Sequence, residues 1–182
     1  MDGIEIVELD GEGFERHAEG LSELLCACVN AGASISFVLP HDIADSRAFW
    51  RRKVLPPLSA GGLALFAALS GGRVVGSVQL DHDTPQNQPH RAEVRKLLVH
   101  PDFRRRGIAR LLMAALEARA LALGRSLITL DTRTGDDAEP LYRSMDYEVA
   151  GVIPDFCRDT VTPCLDPTTI MYKRLRRPVE GA

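Results

Sequence analysis

The densest group of residues suited to chemistry lies between positions 99 and 109, which read VHPDFRRRGIA. An apolar run ends there, and an Ala/Leu-rich run with helical periodicity begins. The first N–H groups of a helix have no partner within the helix, and the helix dipole makes that end positive. Gly107 lets a ligand approach the backbone, and Arg104, Arg105 and Arg106 add positive charge. The segment therefore predicts a cradle for a pyrophosphate group.

Two other interpretations of this segment stay open. The arginines could form a solvated basic turn with Gly107 as a plain loop residue. They could also form part of a nucleic-acid surface. The net charge of −3 and the absence of interleaved aromatic residues argue against nucleic acid. The strand-like run before the turn and the unbroken helical run after it favour anion binding.

Two carboxylates stand inside strand-like runs, Glu93 in RAEVRKLLV and Asp131 in SLITLDT. A carboxylate on an apolar strand costs stability unless it is paired or near water. Asp131 comes at the carboxyl end of its run, where α/β sheets usually place ligands. Each carboxylate also has a structural alternative. Glu93 could pair with Arg91 or Arg95, and Asp131 could cap the turn that follows it.

Hydrophobic periodicity places these residues in an alternating series of strands and helices. It predicts strands at 4–9, 63–70, 73–80, 92–99, 126–132, 146–153 and 168–175, and helices at 12–30, 42–54, 106–123 and 137–144. Gly71-Gly72 predicts a tight hairpin turn, and Pro56-Pro57 is expected to end the second helix. The alternation slips at Leu97-Leu98, which predicts a β-bulge. Residues 126–132 are expected to be buried on both faces.

The order β-α-α-β-β-β-α-β-α-β-β predicts an α/β fold with a mixed sheet of about seven strands and four helices on both faces. Residues 92–132 should form a parallel β-α-β unit. The 182 residues, with 45% hydrophobic and 26% charged side chains, suit one domain over residues 1–182 with a frayed tail at 176–182.

Composition also narrows the compartment and the partners. The acidic start lacks the basic and apolar regions of a secretory signal, so we expect a cytoplasmic protein. Glu117 and Arg119 interrupt the most apolar stretch, so we expect no membrane contact. The four cysteines lack a CxxC spacing, so we expect no metal. We expect no nucleic-acid partner and a monomer or homodimer.

Two motifs carry a family resemblance. Arg104-x-x-Gly107-x-Ala109, following LLVHP, resembles the acetyl-CoA signature R/Q-x-x-G-x-G/A of the GCN5-related N-acetyltransferases (the GNAT family). AEPLYRSMDY at 138–147 resembles that family's A-x-x-L-Y-x-x-x-G-F. The order of elements is similar to the GNAT fold over nearly the whole chain. The resemblance implies acetyl-CoA as co-substrate.

The resemblance also implies which residues contact the cofactor. The pyrophosphate would lie on the backbone of one turn, and the pantetheine would lie along one strand where it splays from the next, 127–132. The turn residues are Arg104, Arg105, Arg106, Gly107, Ile108 and Ala109, and the strand residues are Leu97, Leu98 and Val99. Two positions depart from the family pattern, with Gly135 where Asn is frequent and Asp146 where Gly is frequent. Because Gly135 has no side chain, this position lacks a possible side-chain contact to the cofactor.

The resemblance gives roles to the remaining candidates. Transfer to an amine needs a neutral nucleophile, so a carboxylate near the acceptor can take its proton. Tyr142 stands at the family's usual general-acid position, although it could be an ordinary core tyrosine. Segments between residues 31 and 175, among them AGASISFV and TLDTRTG, resemble the tabtoxin-resistance branch of the family. That branch has its proposed proton acceptors at the positions of Asp131 and Glu93, so we expect this pair to act, with Asp131 ahead.

The acceptor is less defined by the sequence. Ser34 and Ser36 stand in a loop that commonly lines the acceptor pocket in this family, although a plain turn would use the same residues. The expected reaction moves acetyl from acetyl-CoA directly to an amine or hydroxyl of a small molecule, with a tabtoxin-like β-lactam or another antibiotic among the candidates. The alternatives are a protein N-terminal or lysine acetyltransferase and a non-catalytic acyl-CoA-binding module.

Overall fold

Seven strands form one mixed sheet in the computed structural model, which describes residues 3–176. The strands are β1 (Ile4–Leu9), β2 (Leu63–Ser70), β3 (Arg73–Asp81), β4 (Arg91–Val99), β5 (Leu127–Arg133), β6 (Glu148–Arg158) and β7 (Leu165–Arg174). Their spatial order is β1-β2-β3-β4-β5-β7-β6. β4 and β5 pair in parallel, and the other neighbours pair antiparallel. The mixed sheet and the parallel β-α-β unit are confirmed.

The helices form four segments on the two faces of the sheet. They are α1 (Gly11–Asn30), the run of α2 (Ile43–Phe49), a π turn (Trp50–Val54) and α3 (Leu55–Ser59), then α4 (Ile108–Ala122) and α5 (Ala138–Arg143). One core lies between the sheet and α4 and contains Leu112 and Leu116. The other lies under α1 to α3 and contains Phe14 and Trp50. The predicted layer arrangement is therefore confirmed.

The sequence predicts that the second helical segment ends at Pro56 and Pro57. This prediction is wrong, because the segment continues to Ser59. Asp42 caps its start by accepting a hydrogen bond from the Asp45 amide. The π turn then offsets the helix, so that Pro56 and Pro57 fall in the first turn of α3. Proline is tolerated there because the first N–H groups of a helix have no partner to lose.

The strands near the carboxyl end are longer than periodicity predicted. β6 continues past Pro154 to Arg158, whereas periodicity predicts a strand that ends at residue 153. β6 is an edge strand paired with β7, and its register is irregular between Ile153 and Cys157. An edge strand tolerates proline because one side of its backbone needs no partner. The expected tail at 176–182 lies outside the described residues, apart from position 176.

Candidate active site

A cleft of about 1140 Å³ opens where β4 and β5 diverge. The two strands pair at three positions, and the last is Glu93 opposite Thr129. Beyond this pair both strands continue without pairing to each other, so the edge of β4 over residues 94–99 faces the cleft. β5 consequently has one open face, with Asp131 exposed. The expectation that residues 126–132 are buried on both faces is therefore wrong.

A β-bulge bends β4 at the cleft. Arg95 pairs with Gln79 and Leu98 pairs with Ser77, so β4 has one extra residue across this interval. Lys96 adopts a φ of 52°, in the left-handed region. The irregularity thus includes Lys96 and Leu97, one residue earlier than predicted. An extra residue bends and twists its strand, which is why β4 turns away from β5.

One end of the cleft is the start of α4. Gly107 is the N-cap residue, with a φ of 79° and no side-chain cap for the free N–H groups. A Cβ built on Gly107 would meet no atom within 4 Å, so open space lies beside this turn. Arg105 is also left-handed, with a φ of 62°. An uncapped helix start with open space at a glycine suits a phosphate group.

The predicted cofactor residues line the cleft, apart from Arg106. Those lining the cleft are Leu97, Leu98, Val99, Arg104, Arg105, Gly107, Ile108 and Ala109. The side chain of Arg106 instead donates to the carbonyl of Asp102 at 3.1 Å and stacks over the ring of Phe103, 4.8 Å from its centroid. The Arg106 guanidinium is therefore engaged within its own turn, and the expected contact of its backbone with the pyrophosphate stays a prediction.

These features fit acetyl-CoA. The start of α4 offers free N–H groups for a diphosphate, and the open edge of β4 offers backbone donors and acceptors for an amide-containing arm. The same cleft continues to Asp131 and Tyr142. A cofactor with a charged end and an extended arm would thus have its acyl end beside these two residues.

Tyr142 lies in α5 and lines the cleft while only 5% of its surface is exposed. Burial, and next the Asp131 and Asp136 carboxylates, raise the pKa of its phenol above the usual range. The hydroxyl therefore keeps its proton at neutral pH. The carbonyl of Tyr142 accepts from the Tyr147 amide at 3.1 Å, closing the helix around a left-handed Asp146 with a φ of 65°. Asp146 thus adopts the conformation that favours the glycine frequent at this position in the family.

The two predicted carboxylates share one face of the sheet. Glu93 is opposite Thr129, and Asp131 follows two residues later. Glu93 lies 3.5 Å from a nitrogen of Arg91 and 3.3 Å from one of Arg95, so both ion pairs considered from the sequence are present. The hydrogen bond that Asp131 accepts comes from the Thr168 hydroxyl and is long, at 3.4 Å. Asp131 is therefore the freer of the two carboxylates.

Lys96 is a cleft residue that the sequence interpretation did not select. Its ammonium donates to the carbonyl of Ile35 at 2.7 Å and to the hydroxyl of Ser36 at 2.9 Å. It also lies 5.5 Å from the ring centroid of Phe37 and 5.8 Å from that of Phe49. Burial lowers its pKa to about 8, although the Asp131 carboxylate acts in the opposite direction. The break in apolar alternation at Leu97-Leu98 was the sequence signal for Lys96, because a β-bulge changes the direction in which nearby side chains point.

Residues 31–42 connect α1 to α2 and are called the α1–α2 loop. Ser34 and Ser36 both lie in it and line the cleft, where the sequence placed them. The far side of the loop is tied to the β6–β7 connection. The Thr160 hydroxyl donates to the carbonyl of Ala33 at 3.0 Å, and the Leu39 amide donates to the carbonyl of Thr160 at 2.9 Å. The loop is therefore held by hydrogen bonds both to β4 and to the β6–β7 connection.

Comparison with known sequences gives the family. The sequence model described as "Acetyltransferase (GNAT) family" matches residues 30–147, which is more than half of the chain. The chain belongs to the GNAT family. The matched region contains the bulge, the start of α4, Asp131 and Tyr142. The family resemblance of the two motifs is thereby confirmed.

Curated relatives agree with this assignment over part of their length. An acetyltransferase of Pectobacterium atrosepticum is 40% identical over 83 residues, which cover 45% of this chain and 55% of that protein. An acetyltransferase of Yersinia enterocolitica is 38% identical over 92 residues, covering 50% of this chain and 61% of that protein. The match with this chain thus spans little more than half the length of these relatives.

Solved structures show the same fold at low sequence identity. The yncA protein of Salmonella typhimurium, solved with its cofactor acetyl-CoA, has a TM-score of 0.75 at 17% identity, covering 97% of this chain and 96% of that one. An Acinetobacter baylyi protein has a TM-score of 0.79 at 15% identity, covering 100% and 98%. The GNAT fold is therefore shown over the described chain. Between residues 3 and 176, no helix is long and apolar enough to cross a membrane.

Proposed function

We propose that this GNAT protein transfers acetyl from acetyl-CoA directly to an amine or hydroxyl of a small molecule. One observation carries the proposal. A single cleft between the splayed strands β4 and β5 runs from the uncapped helix start at Gly107 to Asp131 and Tyr142. A diphosphate site and a proton-transfer pair at the two ends of one cleft are what acyl transfer from this cofactor requires.

Acetyl-CoA supplies, when bound, the activated acyl group. The N–H groups at the start of α4 would hold its diphosphate, together with the charge of Arg104 and Arg105. The open edge of β4, over Leu97 and neighbouring residues, would hydrogen-bond its extended arm. Both sets of contacts use backbone atoms, so they orient the cofactor along β4 toward Asp131.

Asp131 is the proposed proton acceptor. An alkyl amine has a pKa of about 10.4 and is mostly protonated at neutral pH, so a carboxylate beside it raises the reactive fraction at the moment of attack. Asp131 is exposed to the cleft and accepts one long hydrogen bond. Glu93 is proposed to act with it through a shared water. The two arginine contacts of Glu93 hold that carboxylate in place on the same face.

Tyr142 is the proposed general acid. Its raised pKa keeps the phenol protonated at neutral pH, which suits a group that gives a proton to a leaving thiolate. No hydrogen-bond partner of its hydroxyl occurs among residues 3–176. The proton of Tyr142 is therefore not committed to a neighbouring side chain or carbonyl.

A small acceptor is favoured over a protein by the α1–α2 loop. The loop lines the cleft and is held by hydrogen bonds to Lys96 on one side and Thr160 on the other, which suits a bounded pocket for a small molecule. The segments that resemble the tabtoxin-resistance branch also favour a small amine, including an antibiotic. A fold neighbour from Brucella melitensis is a ribosomal-protein-alanine N-acetyltransferase, so a protein N-terminus remains the second candidate acceptor.

The test is release of free thiol from acetyl-CoA in the presence of candidate acceptors. The panel contains spermidine, kanamycin, a β-lactam amino acid and a short peptide with N-terminal alanine, and mass spectrometry identifies the acetylated product. We expect acceptor-dependent thiol release with one of the small amines. Turnover with the peptide alone would favour the protein acceptor. Tight acetyl-CoA binding with no turnover on any acceptor would favour the non-catalytic module.

A further inference from the structure

The Lys96 ammonium joins the strand that faces the cofactor to the loop that covers the acceptor side. Lys96 belongs to β4, whose open edge lines the cleft. Its two hydrogen-bond acceptors, the Ile35 carbonyl and the Ser36 hydroxyl, both belong to the α1–α2 loop. The contact spans about sixty positions of sequence, so it exists only in the folded chain.

Both ends of this contact adopt an unusual backbone conformation. Lys96 has a φ of 52° and Ser36 has a φ of 74°. Neither is glycine, so each left-handed conformation is strained. Such residues persist where the surrounding structure over-determines them, and they concentrate at functional sites. Both left-handed residues take part in the same contact, because the Lys96 ammonium donates to the Ser36 hydroxyl.

The Lys96 side chain is half-buried between two aromatic residues. Phe37 of the loop and Phe49 of α2 both stand within cation–π distance. Partial burial costs the charged form, and it lowers the pKa of Lys96. Methionine has a similar length and would retain the apolar contacts without that cost. A lysine at this place is thus explained by its contact with the loop and not by stability.

We propose that Lys96 is a positioning residue that holds the α1–α2 loop in the conformation that binds the acetyl acceptor, and thereby links the acceptor pocket to the cofactor strand. The effect on the acceptor rests on the proposed function, whereas the contact between Lys96 and the loop does not. Lys96 acts through Ile35 and Ser36, with Thr160 holding the opposite side of the loop. Loss of Lys96 should therefore affect acceptor binding far more than cofactor binding.

The test compares Lys96→Met and Lys96→Arg with Arg52→Met, which removes a positive charge from an exposed position on the π turn. With the acceptor that gives the fastest turnover in the panel, Lys96→Met should raise the acceptor KM at least tenfold. Its calorimetric Kd for acetyl-CoA should stay within twofold. Lys96→Arg should recover part of the acceptor KM because guanidinium can still donate, and Arg52→Met should behave as wild type.

Hydrogen exchange supplies a measurement that needs no acceptor. The Leu39 amide is bonded to the Thr160 carbonyl, so its exchange reports release of the α1–α2 loop. We expect faster exchange in residues 31–42 for Lys96→Met, with an unchanged or higher Tm. Ser36→Gly keeps the left-handed backbone without strain and removes the hydroxyl, so it should give a smaller effect. The double variant should cost less than the sum of the two.

Unchanged loop exchange and an unchanged acceptor KM in Lys96→Met would overturn the positioning role. An equal loss of acceptor and acetyl-CoA affinity, with a lower Tm, would make Lys96 a general structural residue and would also overturn it. Failure of the wild type to turn over any acceptor would refute the proposed function instead. Hydrogen exchange of residues 31–42 in the Lys96 variants would still show whether Lys96 holds the α1–α2 loop.

Discussion

Gly107 and Gly124 stand at opposite ends of α4 and allow a matched test of the cofactor site. Their φ values are 79° and 72°, and a Cβ at either position would meet no atom within 4 Å. Alanine at either position is therefore strained by the backbone alone, since no neighbour obstructs its methyl group. Gly107 lines the cleft, whereas Gly124 follows the far end of the helix.

The two alanine substitutions should cost the same stability and differ in binding. A left-handed alanine costs about 1 kcal/mol, which lowers Tm by about 2–4 °C in a chain of this size. At Gly107 the added methyl also occupies the open space assigned to the diphosphate. We expect the acetyl-CoA affinity of Gly107→Ala to fall about tenfold, or about 1.4 kcal/mol. Gly107→Glu adds bulk and a like charge, so its loss should be larger.

Calorimetric titration with acetyl-CoA, together with thermal melts, measures both quantities on each variant. Gly124→Ala should reproduce the Tm loss and keep the wild-type Kd. A folded Gly107→Ala variant with unchanged Kd would refute the placement of the diphosphate. Equal losses of affinity in both alanine variants would show that strain in α4, and not the added methyl group, weakens binding.

Four further outcomes are expected. Tyr142→Phe should keep the acetyl-CoA Kd and lower turnover about 100-fold, and wild-type turnover would leave the tyrosine as a packing residue. Asp131→Asn and Glu93→Gln should each lower turnover at neutral pH and regain part of it as rising pH deprotonates the acceptor, with the double variant costing less than the sum. Lower Tm without pH rescue would make these carboxylates structural. Asp146→Gly should raise stability by about 0.5–1 kcal/mol in thermal melts, because glycine adopts the left-handed conformation without strain. Burial lowers the pKa of Lys96 to about 8, below the value of about 10.4 in the unfolded chain. The folded chain therefore loses this proton at lower pH than the unfolded chain. As a result, the contribution of Lys96 to the free energy of unfolding rises from pH 8 to 10. The Tm difference between Lys96→Met and wild type should change across this range, and a constant difference would contradict the lowered pKa.

Local signals in the sequence were enough to predict much of the fold. The Gly71-Gly72 turn joins β2 and β3 as predicted, with φ values of 56° and 81°. Gly124 follows the end of α4 in a left-handed conformation, as a helix stop should. The element order predicted the parallel pairing of β4 and β5. The two glycine turns depend on residues close together in the chain, and the pairing follows from the order of the elements.

Features that depend on an irregular helix or on the divergence of two strands were not predictable from periodicity. Proline normally ends a helix, but the π turn moves Pro56 and Pro57 into the first turn of α3, where they are tolerated. Residues 126–132 are apolar enough for a strand buried on both faces, yet the divergence from β4 leaves Asp131 exposed.

The amino-acid sequence by itself determined the elements of this protein, its family and the positions that could carry chemistry. Glycine placement, helical and strand periodicity and a short motif are properties of the local chain, so they can be read without a fold. The tertiary structure alone decided which candidates meet. It leaves Asp131 with one long hydrogen bond and brings Lys96 to the α1–α2 loop. The Lys96 contact depends on one extra residue in β4, because a single-residue bulge changes both the direction of the strand and the side on which its side chains project.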